Sequence, residues 1–350
     1  MKISLITMEY PPQTGGVGNY YYGLVRALER SGFSVDVQII PAMARWFQVW
    51  QVIKKCRADI IWVGQILPIG TAAWLNYLLT KKPYFVSLHG FDINIAHEKK
   101  SWLTKQILQS AEFMTVNSLY TKGRLPAVAD DKAVLVYPCP HIKTSPADPI
   151  AEWRQKLDIK GPVLLTLARL VPRKGYDKVI RLMPQLVRRY PSLQYLIVGR
   201  GPDHKRLESL VTELGVEANV KILTKIDDRA AAALYGLCDI FLMPAQTRGS
   251  DAEGFGIVYL EAALAAKPAV ATVGGGVNEA VVNDETGFVC RPEELLSRLE
   301  KLLADPALRQ RLGETGRRRV QTQFTYEKQA PALIDRLRSL MIAGTDFKDS

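Results

Sequence analysis

Two carboxylates separated by seven residues, Glu253 and Glu261, bracket a glycine turn in the stretch EGFGIVYLE, and such a stretch has the chemistry to hold a sugar nucleotide. An ionised carboxylate only accepts hydrogen bonds, so a pair of them suits a polyhydroxylated ligand with no shift of pKa. Gly254 and Gly256 allow a ligand to approach the backbone, and a helix expected from about Ile257 would turn its free N–H groups toward a diphosphate. Glu253, just ahead of that helix, would accept from sugar hydroxyls. Glu261, one turn inside it, would accept from a ribose diol. A loop glutamate followed by a solvated helix glutamate leaves the same pattern, so the pair needs support from elsewhere in the chain.

Two basic residues upstream supply it. The apolar run Val163–Ala168 has the length of a buried strand and leads into Arg169-Leu170-Val171-Pro172-Arg173-Lys174-Gly175. A planar guanidinium and a mobile ammonium at the end of a strand form a diphosphate clamp, the alternative being a solvated basic loop. An amphipathic helix from about Asp177 to Tyr190 follows, then a strand at Gln194–Val198 ending in Gly199-Arg200-Gly201-Pro202. Strand, helix, strand is the signature of a parallel sheet. His89-Gly90-Phe91-Asp92 follows another apolar run, Tyr84–Leu88, and ligands of open parallel sheets bind at the carboxyl ends of strands. A histidine there can donate to a sugar hydroxyl or simply close the strand. Gly15-Gly16-Val17-Gly18 could cradle a phosphate. Neither it nor Gly199–Gly201 completes GxGxxG, so a hydride-transfer enzyme is the weaker reading of the pattern.

The elements that must carry these loops alternate in two halves. The first has a strand at Ile3–Met8, a loop at Tyr10–Val17 and a helix from about Asn19 to Arg30, stopped by Ser31-Gly32. Strands follow at Ser34–Ile40, Ile60–Val63, Tyr84–Leu88 and Val134–Tyr137. Pro138, Pro140, Pro146 and Pro149 read as a stiff, non-helical connection, and alternation restarts at Val163 with further strands at Val220–Leu223, Ile240–Met243 and Ala269–Thr272. The expected domains are therefore 1–145 and 146–325, which a chain of 350 residues accommodates.

Composition narrows the partners. With 46 basic and 35 acidic residues the formal charge is +11, which attracts nucleic acid, anionic lipid or phosphorylated ligands. No block of like charge and no RNA-binding aromatic motif is present, which sets nucleic acid behind the other two. Cys56, Cys139, Cys238 and Cys290 form no CxxC pair, as expected in a reducing compartment and against a structural zinc site. Ile3–Met8 is too short for a signal peptide. The apolar run Leu67–Leu79 is interrupted by Pro68, Gly70 and Asn76 and falls short of spanning length, so a soluble or peripheral protein is expected.

Taken together, Gly15–Gly18, His89-Gly90-Phe91-Asp92, Arg169 with Lys174-Gly175, and Glu253 with Glu261 resemble the retaining family-4 glycosyltransferases of GT-B fold across nearly the whole chain. Pro244-Ala245-Gln246-Thr247-Arg248-Gly249 is similar to the bacterial mannosyltransferases that act on phosphatidylinositol mannosides. The resemblance implies an α/β GT-B fold, two Rossmann-like doubly wound domains facing a cleft, with residues 326–350 packing back on the first. It implies a hexosyl group, most readily mannosyl, moving from a nucleotide-diphosphate sugar to a lipid-linked or glycan acceptor without metal or other cofactor. GDP-mannose is favoured as donor and a UDP-sugar remains open. On this resemblance Arg169 and Lys174 bind the diphosphate in place of a metal. Glu253, with the backbone of Phe255, Gly256 and Ile257, holds the sugar and distal phosphate. Glu261 binds ribose, and the base lies near the loop after Val220–Leu223. Gly16 lets its loop reach the phosphates, His89 contacts the sugar near the reacting centre, and Gly275 and Gly276 line the pocket before Glu279.

Three places depart from the family pattern. Cys139-Pro140-His141-Ile142 replaces a common Asn-Gly-Val-Asp run, Asn278 replaces a proline, and Tyr326 stands where tryptophan is frequent. The acceptor is the least legible part. Met43, Trp46, Phe47, Trp50 and Ile53 recur at helical spacing near Arg45, Lys54, Lys55 and Arg57, either as core or as a face that docks on anionic membrane. Lys99-Lys100-Ser101-Trp102 is a second basic-aromatic cluster. A cytoplasmic enzyme, with peripheral contact at the inner face of the membrane, is the expectation. A non-catalytic module of the same fold that binds a sugar nucleotide or a glycan is the alternative.

Overall fold

The computed structural model describes residues 1–12, 15–41, 43–142, 144–247 and 251–345, with backbone only at 91, 92, 94–100, 128 and 343–345. Arg248 and Gly249, and the side chains of Phe91, Asp92, Lys99 and Lys100, therefore lie outside the described residues. The chain divides into two compact units, residues 1–139 with 324–350, and residues 140–323.

The first unit is built on β1 (Lys2–Thr7), β2 (Ser34–Ile39), β3 (Ile60–Val63), β4 (Tyr84–Leu88), β5 (Met114–Val116) and β6 (Ala133–Leu135). They form one parallel six-stranded sheet in the order β2-β1-β3-β4-β5-β6. Helices cover both faces of such a sheet, so its central strands read as unbroken apolar runs. In β3, Ile60 and Trp62 enter one buried cluster while Ile61 and Val63 enter the other. Phe85 stacks between Trp62 and Phe113, with ring centroids at 5.4 and 4.5 Å. Leu333, Ile334 and Leu337 of the C-terminal helix join the same cluster. A Cβ on Gly23 would overlap the Tyr326 ring at 1.9 Å, so the first helix leaves space for the returning chain.

The second unit contains β7 (Val163–Leu167), β8 (Gln194–Val198), β9 (Val220–Leu223), β10 (Ile240–Met243), β11 (Ala269–Thr272) and β12 (Gly287–Cys290). These also form a parallel six-stranded sheet, in the order β12-β11-β10-β7-β8-β9. Strand order reverses between β7 and β10. The loops leaving those two strands, which carry Arg169–Gly175 and Glu253, therefore diverge at the switch point where open α/β sheets bind ligands.

Several elements differ from the sequence expectation. The first helix starts at Gly16, not Asn19, so its glycines belong to its first turn. Pro149 lies in the first turn of a helix, Ala147–Lys156, where its missing N–H costs nothing. The C-terminal helix expected from Tyr326 to Met341 is two, Tyr326–Gln329 and Pro331–Thr345, and Pro331 opens the second. Strands β5 and β12 were not anticipated, being short and flanked by polar residues or glycine. The apolar stripe at residues 43–53 splits. In the helix Trp46–Lys55, Val49 and Ile53 are buried in the core, whereas Met43 before it and Trp46 and Phe47 within it are exposed.

Candidate functional site

Lys174 and Glu253 come together at the switch point. Lys174 Nζ donates to Glu253 Oε2 at 2.6 Å, and Arg173 Nη1 donates to the same oxygen at 2.8 Å. Arg173 Nε also pairs with Asp251 Oδ1 at 3.1 Å. The side chains of Lys174 and Glu253 are only 11% and 13% exposed, so these charges interact with little solvent between them. Burial raises the Glu253 pKa, but Lys174 and Arg173 outweigh it and leave the carboxylate below its usual range. Burial also lowers the pKa of Lys174, against the opposing pull of Glu253. Arg169 is exposed, and its guanidinium takes no partner among the described residues. It is thus the uncommitted cation of this loop.

Backbone contacts hold the cluster in place. Gly175 has φ +75°, and a Cβ there would lie 2.0 Å from Pro244 O, so the loops after β7 and β10 touch main chain to main chain. Gln246 N donates to Arg173 O at 2.7 Å across the same seam. Gly199 and Gly201 do the same on the other side, where a Cβ would lie 1.9 Å from Ala168 O and 2.2 Å from Leu170 O. Close loop packing accounts for those glycines without a phosphate.

Gly256 precedes the helix Ile257–Leu264 at φ +91°, with no side-chain cap and no acidic residue in the first turn. Tyr259 N in its first turn donates to Gly256 O at 3.0 Å, and the N–H groups of Ile257 and Val258 have no partner within the helix, the feature phosphate sites use. Phe255 is buried, and Gly275 and Gly276 press their backbones against the Glu253–Phe255 segment, Gly276 N donating to Glu253 O at 2.8 Å.

Glu261 is buried deeper in the same helix. Its Oε2 accepts from Tyr235 Oη at 2.8 Å, and its Oε1 stands 3.1 Å from His141 Nδ1. Burial pushes the Tyr235 hydroxyl well above its usual pKa, and Glu261 adds to it, so the tyrosine stays a donor.

Gly16 and His89 lie in the first unit. Gly16 opens the first helix, and Gly15 before it would place a Cβ 3.0 Å from Glu9 Oε2. His89 Nε2 is 2.7 Å from Tyr21 Oη, while the Tyr21 hydroxyl donates to Gly64 O. The single phenol proton is thereby used, which makes Nε2 the donor and fixes the tautomer. The Tyr20 and Tyr21 rings meet the imidazole edge-on at 5.1 and 5.3 Å. Burial drives the His89 pKa down to about 3, so the ring is neutral.

Sequence reasoning singled out Lys174, Glu253 and Glu261, but it assigned no role to their neighbours Arg173, Asp251, Tyr235 and His141, nor to Tyr21 beside His89. Each enters through a partner distant in the chain, and no local spacing announces such a pair.

The chain is similar to known proteins over most of its length. Residues 149–319 match the family described as glycosyl transferases group 1. The chain is 30% identical to a GDP-mannose-dependent α-(1-6)-phosphatidylinositol monomannoside mannosyltransferase of Mycolicibacterium smegmatis, over 89% of this chain and 92% of that one. It is 28% identical to the monoacylated-substrate counterpart of Corynebacterium glutamicum, over 97% and 98% of the two chains. Among solved structures, sucrose-phosphate synthase from Thermosynechococcus elongatus superposes with a TM-score of 0.83 at 23% identity, covering 98% of this chain and 99% of that one. Anabaena HepE in complex with UDP and glucose does so at 0.82 and 19%, covering 97% and 100%. With likeness in sequence over almost its full length and in fold over both sheets, the chain belongs to the group 1 glycosyltransferases and has the GT-B fold.

Proposed function

We propose that this protein transfers a mannosyl group from GDP-mannose to a glycolipid acceptor, with retention of configuration and without a metal ion. The observation that carries the chemistry is the Lys174–Glu253 pair beside the uncapped helix at Ile257, with Arg169 uncommitted nearby. As the glycosidic bond breaks, negative charge grows on the leaving diphosphate. Arg169, Lys174 and the helix N–H groups meet it in the position a divalent cation would otherwise take. Glu253, held ionised by its two cations, accepts from sugar hydroxyls, and Glu261 accepts from ribose. His89 is neutral and its Nε2 proton is committed to Tyr21 Oη, so it is not suited to proton transfer. Retention follows if the acceptor hydroxyl attacks on the face the diphosphate leaves, the leaving phosphate oxygen taking the acceptor proton. No carboxylate nucleophile is then needed, and the protein contributes position and electrostatics. The mannosyltransferase names of the relatives support the donor and the acceptor class.

Calorimetry with GDP-mannose, UDP-glucose and UDP-N-acetylglucosamine in excess chelator tests the donor site. GDP-mannose is expected to bind, and Glu253→Ala to weaken it. Binding that needs added divalent metal would overturn metal independence, and equal affinity in Glu253→Ala would overturn the site.

The acceptor is assigned to the first unit. Trp46, Phe47 and Met43 are exposed, and so are Leu78, Leu79 and Trp102. Trp46 also lines an open groove of about 540 Å³ with Leu67, Pro68 and Thr71. Among the described residues, no helix is long and apolar enough to cross a membrane. An exposed apolar face with Lys54 and Lys55 at the end of its helix suits an anionic bilayer surface that presents a glycolipid. Trp46→Ser with Phe47→Ser is expected to weaken co-sedimentation with anionic vesicles about tenfold or more. Unchanged co-sedimentation would remove the membrane from this face.

A further inference from the structure

We infer that His141 is a further residue of the nucleotide site, covering the ribose carboxylate so that the nucleotide binds only as the imidazole leaves it. This rests on the reading of Glu261 as the ribose acceptor. A ribose diol needs carboxylate oxygen it can reach, yet the Glu261 side chain is only 3% exposed. One oxygen is engaged by Tyr235 Oη at 2.8 Å. The other, Oε1, is buried, meets no hydrogen bond of standard geometry, and has His141 Nδ1 against it at 3.1 Å. His141 is itself 28% exposed, so it has solvent to move into. Its Nε2 faces a second carboxylate, Asp228 Oδ2 at 3.7 Å, on the first residue of the helix Asp228–Leu237. The imidazole therefore sits between one buried and one open carboxylate, next to a tyrosine that stays protonated. A hydroxyl can reach Oε1 only by taking its place.

The charges give this exchange a pH signature. Burial pulls the His141 pKa down, but Glu261 and Asp228 outweigh it and raise it above the usual value. An imidazole displaced into solvent returns toward its ordinary pKa, so nucleotide binding releases a proton. Affinity then rises with pH between the ordinary and the raised pKa, by at most about tenfold per pH unit, and is flat outside that window.

The test is calorimetric titration with GDP-mannose and UDP-glucose from about pH 6 to about pH 9, where neither ligand titrates on its phosphates. Wild type is expected to bind more tightly as pH rises and to release protons in buffers of differing ionisation enthalpy. His141→Asn is expected to bind more tightly than wild type at the acidic end and to lose the slope. Asp228→Asn, at an exposed position, is expected to move the midpoint to lower pH. An identical slope in His141→Asn and wild type overturns the inference, and so does weaker binding by His141→Asn at every pH, which would make the imidazole a ribose holder. Glu261→Gln separates the two levels. If it leaves affinity unchanged, or if neither nucleotide sugar binds wild type, the ribose-site reading itself fails. If it weakens binding while the slopes coincide, only the role of His141 fails.

Discussion

Replacing Lys174 with alanine is expected to lower kcat by about 10²–10³ with the acceptor and donor saturating. The ammonium is one of few groups that can meet charge on a leaving diphosphate, and it does so from a site with little water. It also neutralises Glu253 at 2.6 Å, so the substitution disturbs a buried pair. Removing one partner of a buried ion pair costs about 3–5 kcal/mol when the other is left alone. Here Arg173 still donates to Glu253 at 2.8 Å, which should hold the loss below that range. Glu253, whose folded pKa is depressed, contributes stability present above the ordinary carboxylate pKa and lost as pH falls through the folded value. Without Lys174 that loss begins at higher pH. Arg169→Ala isolates the catalytic effect, because its exposed guanidinium has no partner among the described residues and its removal breaks no internal contact. A comparable fall in kcat with an unchanged unfolding midpoint is expected there. Near-normal turnover in both variants would remove the cationic clamp from the mechanism.

What could be read in the sequence follows from which interactions are local. The strands were legible because a parallel sheet covered on both faces demands consecutive apolar residues, as in Ile60–Val63 and Ile240–Met243. The short strands Met114–Val116 and Gly287–Cys290 present too few residues to stand out. Glycine misled at the first helix, since Gly16 and Gly18 suggest a loop while packing and backbone hydrogen bonds make a helical turn of them. The Glu253 and Lys174 loops were legible by residue type and by their places at strand ends. Their mutual pairing was not, because it depends on the strand order that makes β7 and β10 neighbours. For the same reason Arg173 read as one more basic residue, and His141 as a hinge substitution rather than the neighbour of Glu261. The apolar stripe at Trp46 and Phe47 shows the limit of periodicity, since one helix there serves the core with Val49, Ile53, Trp50 and Val52 and the surface with Trp46 and Phe47.

The backbone that braces Glu253 predicts a second large effect, at a residue with no side chain. Gly275 sits at φ +61°, and a Cβ on it would lie 2.0 Å from Glu253 O and 2.9 Å from the carbonyl carbon. Both contacts are to main chain, which cannot rotate away, and Gly276 N is bonded to the same carbonyl at 2.8 Å. Gly275→Ala must therefore push the loop after β11 away from the loop that carries Glu253. Gly215 is the matched control in the same unit, with φ +62° and nothing within 4 Å of its Cβ position. Gly215→Ala should cost only the left-handed strain, about 1–2 kcal/mol. Gly275→Ala adds overpacking of about 1–3 kcal/mol. Their difference should appear as an unfolding midpoint lower by several degrees for Gly275→Ala, at about 2–4 °C per kcal/mol for a domain of this size. Nucleotide-sugar affinity separates the pair more sharply. Displacing Glu253 by even about 1 Å withdraws it from the sugar and unsettles Lys174, so binding should fall at least about tenfold in Gly275→Ala and stay unchanged in Gly215→Ala. Should the two variants unfold together and bind alike, the glycines at Gly275 and Gly276 would have no part in positioning the carboxylate, and Glu253 would owe its place to the two cations alone.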